Sequence, residues 1–341
     1  MLLSQEYNNA LIPEDLQQIS QRLREPREEE LVGRQLFPQN NEYNTWAQEI
    51  GYDAVIAEGG AAIIGPGSGA SDVPLVGEKL KRETQPAVTI VSGVNLTAAQ
   101  LGQMAAAREI GKGPSYDTLN KRTDRGRRFI NEKITSVITT GVSSIGLKGM
   151  FNDAFYATSR AAADTSENNG KGVKESVAQG AFSGTAAQKR LWDNKTPAEI
   201  HEDLRLGLAH VNRRGLFAAD TLGITPKAYW ALAKPYSAQN PMSLLDVINE
   251  TVGKGYGFFK RLLVSRAFAA GAAEDGYNGD DVDYMCIFEG SSEVAEYSIL
   301  EEIRNLQPVY DKMENMEMVL RARTGGLIMY QGAGIYIGKG V

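Results

Sequence analysis

The sequence predicts an α+β fold, and three patterns carry this prediction. Residues 114–141 repeat apolar side chains every three or four positions, which is typical of one long amphipathic helix. Residues 43–57 and 86–96 alternate apolar and polar side chains, which is typical of strands. From residue 192 onward, helical and strand patterns are interleaved. We therefore expect a long helix to act as the scaffold for the other elements.

Composition indicates a soluble globular protein. The 341 residues are 42% hydrophobic and 23% charged, with a net charge of −6, so the chain as a whole is not built to coat nucleic acid. The single Cys286 excludes an internal disulfide and lies in the apolar run YMCIF, which predicts a buried thiol. No apolar run approaches the roughly 18 residues of a membrane span, and no signal peptide is visible. We expect no membrane contact.

Residues 1–42 are predicted to form an N-terminal arm. Pro13, Pro26 and Pro38 divide this stretch into short pieces that cannot bury much of themselves. An arm that needs a partner surface is one interpretation, and a frayed terminus is the other.

Residues 43–96 are predicted to form an extended hairpin. Its strands are 43–57 and 86–96, and the segment 58–77 between them is rich in glycine and small residues. A lone two-stranded hairpin is marginally stable in water, so we expect other surfaces to hold it.

The next segment, 97–152, contains two predicted helices. Thr97 and Gln100 form a capping box for the first, and the long helix over 114–140 ends at Gly141. The run SSIGLKGMFND then predicts a compact turn and strand. Residues 153–191 are small and polar, which predicts an insertion or mobile loop.

The remainder divides into residues 192–290 and 291–341. Thr196 with Glu199 forms a second capping box, and further helices are predicted to begin at Thr225 and Ser243. FFKRLLVSRAF and DYMCIFEG are predicted strands. Near the C-terminus, MEMVLRART is a predicted strand, and we expect a turn at Gly325 and Gly326 followed by a short meander.

Little in the sequence indicates catalysis or metal binding. His201 and His210 lie on one predicted helix and are interpreted as ordinary helix residues. The GPGSG run lacks the lysine of a phosphate loop, and the acidic residues near 280 lack the pattern of a calcium loop. We therefore predict no catalytic, cofactor-binding or metal site.

The order of the elements, together with several short motifs, resembles a known family. The motifs are LFP (36–38), LTAAQL (96–101), GLKGMFND (146–153), WDNKTPAEIHEDL (192–204) and RARTGGLIMY (321–330). In this order they resemble the major capsid proteins of tailed bacteriophages, which have the Hong Kong 97-type fold that encapsulins share.

The resemblance implies a domain assignment and a set of inter-subunit residues. Residues 43–96 would be the E-loop, 97–152 the front of the P-domain with a spine helix at 114–140, 192–290 the A-domain, and 291–341 returning P-domain strands. The implied E-loop contacts are Trp46, Ile50, Tyr52, Ile56, Ile63, Ile64, Val73 and Leu75. The implied spine-helix contacts are Arg122, Arg125, Arg127 and Arg128, and the implied A-domain tip residues are Asp275, Tyr277, Asp280 and Asp281.

The implied function is structural. Many copies would form hexamers and pentamers of an icosahedral head, with a portal and scaffold or decoration proteins, around DNA that they contact weakly and without sequence preference. Assembly in the host bacterial cytoplasm and a place in the virion follow from the same resemblance. The alternatives are an encapsulin-like nanocompartment shell and, remotely, a serine hydrolase that uses Ser143 or Ser144.

Overall fold

The structure is a computed structural model of the chain. It describes residues 30–60, 75–109, 118–151, 191–212, 215–236, 241–251, 259–272, 277–279, 281 and 283–340. The predicted insertion at 153–191, except its last residue, lies outside the described residues, as do most of the N-terminal arm and the middle of the hairpin tip.

The described elements are mixed helices and strands, in agreement with the predicted class. The helices are α1 (Gly33–Leu36), α2 (Ala98–Glu109), α3 (Thr118–Thr139), α4 (Pro197–Asn212), α5 (Pro226–Leu232) and α6 (Leu244–Thr251). The strands are β1 (Gln39–Asn40), β2 (Glu49–Glu58), β3 (Gly77–Pro86), β4 (Val88–Leu96), β5 (Gly141–Val142), β6 (Leu147–Lys148), β7 (Thr221–Ile224), β8 (Arg261–Val264), β9 (Tyr284–Phe288), β10 (Ala295–Asn305), β11 (Val309–Tyr310), β12 (Met316–Met329) and β13 (Ile335–Lys339).

The predicted long helix is confirmed over Thr118–Thr139 as α3, which packs on a five-stranded sheet, while its predicted first residues, 114–117, lie outside the described residues. In this sheet β12 pairs antiparallel with β4, β10 and β11, and β1 joins β10 in parallel. Ile130 and Ile134 of α3 are buried against the sheet, and Gly126 lets the helix approach Leu320. Gly141, at φ +75°, follows the helix in the left-handed conformation that glycine adopts without strain.

A second sheet, with strand order β13-β9-β7-β8, separates two hydrophobic cores. In β9, Tyr284, Cys286 and Phe288 belong to the core around α3, whereas Met285 and Ile287 belong to the core under α4, α5 and α6. Because both faces of β9 are covered, its sequence is continuously apolar rather than alternating. The buried thiol is confirmed, and burial raises the pKa of Cys286 well above its ordinary value.

The predicted hairpin partner is wrong. β2 pairs over its whole length with β3, whereas β4, the second predicted strand, pairs with β12 of the five-stranded sheet. The sequence of β3, GEKLKRETQP, is mostly charged or polar, in keeping with the exposure of most of the strand to solvent, so it has no alternating pattern.

The predicted turn at Gly325 and Gly326 is also wrong, because β12 continues through both residues to Met329. They mark an irregularity instead: Gly326 has φ +74°, and the register with β10 shifts opposite it, at Ser298. A side chain on Gly325 would collide with Ile50. The predicted meander does not form, since β13 pairs with β9 in the second sheet.

The predicted helix starts are confirmed by their hydrogen bonds. Thr97 and Gln100 cap each other's backbone N–H groups, and Thr196 and Glu199 do the same for α4. Thr225 accepts from the Ala228 N–H at the start of α5. These local signals set the helix boundaries.

Candidate inter-subunit surfaces

The β-arm, defined as β2 and β3, is anchored at its base. The Tyr52 hydroxyl donates to the Met329 carbonyl at 3.1 Å, and the Gln85 side chain donates to the carbonyls of Gly325 and Leu327 at 2.6 and 3.0 Å. Ile50 is 2% exposed and packs against Leu300 and Ile328 of its own chain. Ile50 is therefore used inside the subunit, which leaves no surface of it for a neighbour.

Tyrosines reinforce this base. The Tyr52 and Tyr330 rings meet edge to face, with their centroids 4.8 Å apart, and the Tyr330 hydroxyl donates to Glu296 Oε2 at 3.0 Å. Burial and the neighbouring Glu83 raise the pKa of Tyr52 to about 12. Burial and the hydrogen bond to Glu296 also raise the pKa of Tyr330. The surroundings of both hydroxyls therefore favour the protonated form, which donates these hydrogen bonds.

Beyond the base, the β-arm exposes apolar side chains. Val55 and Leu80 are direct partners across the two strands and are 61% and 72% exposed, and Leu75 beside the tip is 86% exposed. An ion pair between Arg82 and Asp53, at 2.6 Å, ties the strands nearby, and its hydrogen bond lowers the pKa of Asp53. The arm thus has a defined shape but leaves an apolar face in water, which is typical of a docking surface.

Val55 and Leu80 were not predicted from the sequence. The alternation in 43–57 directed attention to the opposite face, and β3 had no strand signal. Of the predicted E-loop residues, Ile63, Ile64 and Val73 and the side chain of Ile56 lie outside the described residues. Their inter-subunit role stays a prediction, as does that of Leu75.

Trp46 is an exposed aromatic residue held in a fixed position. It is 68% exposed, and the guanidinium groups of Arg321 and Arg323 lie 5.5 and 5.7 Å from its ring centroid. Arg323 also donates to the carbonyls of Thr45 and Ala47 on either side of it. A rigid exposed tryptophan costs little entropy when a partner covers it, so Trp46 remains a good interface candidate.

The predicted arginines of α3 divide into two classes. Arg122 donates to the Asn95 carbonyl, and Arg128 pairs with Glu132 at 3.1 Å, so both act within the subunit. Arg127 lies 3.7 Å from Asp124 on the exposed side, and Arg125 is exposed with no ion-pair partner in the described part of the chain. Arg125 and Arg127 are therefore the ones available to a neighbour.

Of the four predicted A-domain tip residues, the structure describes Tyr277 and Asp281. The Tyr277 carbonyl accepts a bond from the Thr140 hydroxyl at 3.5 Å, and its ring packs on Gly271 with the Arg266 guanidinium 5.8 Å from its centroid. Tyr277 thus lies next to the C-terminal end of α3. Asp281 is exposed, and Asp275 and Asp280 lie outside the described residues.

Nothing in the described ranges resembles a metal centre, since no three histidine, cysteine or acidic side chains cluster there. Ser143 and Ser144 lie on an exposed single-turn helix between β5 and β6. No helix in the described part of the chain is long and apolar enough to cross a membrane.

The fold described above, with a long helix packed on a five-stranded sheet and a projecting β-arm, can now be compared with known proteins. Residues 59–341 match the family model of the major capsid protein, so the chain belongs to that family. Its role is structural rather than enzymatic, as predicted. No curated protein sequence gives a significant match.

Solved structures share the fold at low sequence identity. The protein in the structure titled "The capsid of Myoviridae Phage XM1" is 11% identical, with a TM-score of 0.70 over 98% of this chain and 100% of that one. A chain in "Capsid of empty GTA particle computed with C5 symmetry" is 14% identical, with a TM-score of 0.59 over 98% and 99%. A chain of Mycobacterium phage Bobi is 12% identical, with a TM-score of 0.58 over 95% and 94%. These matches bear out the predicted capsid fold.

Proposed function

We propose that this chain is the shell subunit of a tailed-phage or prophage head, in which hexamers and pentamers form an icosahedral particle around packaged double-stranded DNA. Membership of the major capsid protein family supports this. The observation that supports the proposal most strongly is the structure of the β-arm. The arm is anchored at its base, yet it leaves Val55 and Leu80 uncovered in the isolated subunit.

In the proposed shell, the β-arm lies across a neighbouring subunit. Burying these two partly exposed aliphatic side chains at each of many repeated contacts supplies about 2–4 kcal/mol per arm before association costs. Trp46 and Arg127 are the further contacts that we propose, and Arg125 joins them once no segment of its own chain covers it. A portal and scaffold or decoration proteins complete the head, which is assembled in the host cytoplasm and becomes part of the virion.

The DNA contact in the proposed head is weak. The chain has a net charge of −6, so a lining made of many copies repels phosphate and lets the genome be packed and released.

The test is assembly of the purified full-length protein, followed by electron microscopy and analytical ultracentrifugation. We expect particles tens of nanometres across. The variant Val55→Asn/Leu80→Asn should fold but assemble at least about ten times less well. The matched control is Leu216→Asn, since Leu216 is equally exposed, at 72%, but lies outside the β-arm.

Two results would contradict the proposal. A wild-type protein that stays monomeric under all assembly conditions would remove the shell function, and normal assembly of the Val55→Asn/Leu80→Asn variant would remove the role of the β-arm. Native particles that contain an enzyme instead of DNA would indicate the nanocompartment alternative.

A further inference from the structure

Helix α3 carries an aromatic side chain that the described residues of its own subunit leave uncovered. Phe129 is 61% exposed, although α3 otherwise buries its apolar residues against the five-stranded sheet. Arg125 and Lys133 stand four residues before and after it, so the three side chains line one side of the helix. Both cations are exposed, and neither has an ion-pair partner among the residues that the structure describes. This surface fits a partner that is apolar and acidic.

The N-terminal segment has that chemistry. Residues 1–29 contain six acidic and three basic side chains, and the first 21 contain three acids without any lysine or arginine. Ile12, Leu16, Ile19 and Leu23 recur at steps of four, three and four, which predicts an amphipathic helix with one apolar stripe. Asp15 adjoins this stripe.

The same segment is tethered close to Phe129. The described chain begins at residue 30, and α1 follows directly and packs on α3 so closely that a side chain on Gly33 would lie 2.6 Å from Thr135 Oγ1. Thr135 is six residues from Phe129, about 9 Å along the helix axis and about 120° around it. The six residues 24–29 span roughly 20 Å when extended, which is enough to pass around the helix and reach Phe129. A short tether gives an effective concentration on the order of millimolar.

We propose that residues 12–23 fold back within the same chain as an amphipathic helix that covers Phe129 and sets Glu14 and Asp15 against Arg125 and Lys133. The N-terminal arm is then bound to its own α3 in the unassembled subunit. Because this contact lies within one chain, it does not depend on shell formation, and each proposal can fail without the other.

Trypsin cleavage after Arg22 in the unassembled full-length protein is the first test. Bound helix resists cleavage, so Phe129→Gln should accelerate this cut about tenfold. The matched control is Trp230→Gln, because Trp230 is 72% exposed but belongs to α5. Equal cleavage in the wild type and in Phe129→Gln would overturn the proposal.

Charge reversal tests the acidic contacts. Arg125→Glu/Lys133→Glu should accelerate the cut as Phe129→Gln does, and adding Glu14→Lys/Asp15→Lys should restore protection. Failure of this rescue would contradict the pairing. If Arg125→Glu/Lys133→Glu instead destabilised the whole fold, trypsin would also cut faster at other sites in the same digest. The substitutions at Glu14 and Asp15 would then not restore protection.

Cross-linking decides between the chain's own arm and that of a second copy. The native Cys286 is buried and should not react, so a Leu16→Cys/Lys133→Cys variant provides the reactive pair. A bifunctional maleimide should give a cross-linked monomer, whereas mainly cross-linked dimers would overturn the contact within one chain. If this face bound nucleic acid instead, the protein should bind an oligonucleotide and Phe129→Gln should abolish that binding. Cleavage after Arg22 would then be the same in the wild type and in Phe129→Gln, and this result would also overturn the proposal.

Discussion

Lys195 and Asp203 form an ion pair that water hardly reaches, with side chains 1% and 4% exposed. The Trp192 indole N–H also donates to the Asp203 carboxylate, at 3.0 Å. Burial raises the pKa of Asp203 to about 6, against the opposing effects of the Lys195 ammonium and Trp192. The group fixes residues 192–195 to the first turns of α4.

Replacing Lys195 by methionine should destabilise the subunit by about 3–5 kcal/mol at pH 7, because a buried carboxylate is left without its cation. At pH 5 the deficit should be smaller by about 1 kcal/mol. Folded wild type also gains stability on acidification, because its Asp203 pKa of about 6 lies above 3.8, but losing the cation raises this pKa further, so the folded variant binds more protons between pH 7 and pH 5 than folded wild type does. Urea denaturation of both proteins at the two pH values measures this, and an equal deficit at both would contradict it.

Gly149 is required by a close approach of two backbone segments. A Cβ on this residue would lie 2.3 Å from both the Gly141 nitrogen and the Thr140 carbonyl carbon, and no side chain is there to move aside. Gly149→Ala should therefore cost at least about 3 kcal/mol or prevent folding. Gly102→Ala is the control: Gly102 lies in α2 with open space around its Cβ position, so alanine should stabilise the helix by about 0.5–1 kcal/mol. Thermal melts of the two variants should move in opposite directions.

At the scale of elements, local signals were predictable and strand pairing was not. The capping residues Thr97 and Thr196 and the apolar face of α3 were correct because a helix is determined by neighbours within a few residues. The partner of β2 was missed because pairing is non-local and the charged β3 carries no alternation. Two consecutive glycines are typical of a turn. The same lack of side chains is also needed in the irregular stretch of β12, where Ile50 packs against the backbone.

The candidate surfaces were predictable only in outline. The spacing of the charged residues indicates that the long helix has a charged face. Which of its arginines are available to a neighbouring subunit depends on the residues that pack beside them. Arg128 forms an ion pair with Glu132 inside the subunit. Glu132 also lies 3.7 Å from Arg266, which belongs to a segment far away in sequence. Likewise Ile50 and Val55 both belong to β2, and only the sheet beneath determines that Ile50 is buried and Val55 exposed.

The two neighbouring arginines of α3 should separate folding from assembly. Arg128→Glu puts a carboxylate beside half-buried Glu132 and should lower the free energy of unfolding by about 1–2 kcal/mol. Arg127→Glu loses only an exposed contact with Asp124 and should change stability by less than about 0.5 kcal/mol. If Arg127 contacts a neighbour in the shell, its reversal should slow assembly in sedimentation assays while urea denaturation stays near wild type. Normal assembly of Arg127→Glu would exclude it from the interface.

At the scale of the whole molecule, two kinds of candidate contact respond oppositely to salt. Each copy carries a net charge of −6, so copies repel one another, and added salt screens this repulsion. Apolar burial of Val55 and Leu80 is not weakened by screening, whereas attraction through Arg125 and Arg127 is.

We expect the β-arm to dominate, because it offers large uncovered aliphatic groups while one of the two exposed arginines already has Asp124 beside it. Raising sodium chloride from about 0.05 to about 0.5 M should therefore speed particle formation, as followed by light scattering. Val55→Asn/Leu80→Asn should lose this acceleration, because screening without apolar contact leaves little attraction. If salt instead slows assembly of the wild type, and Arg127→Glu removes that slowing, the charged face of α3 rather than the β-arm is the dominant contact.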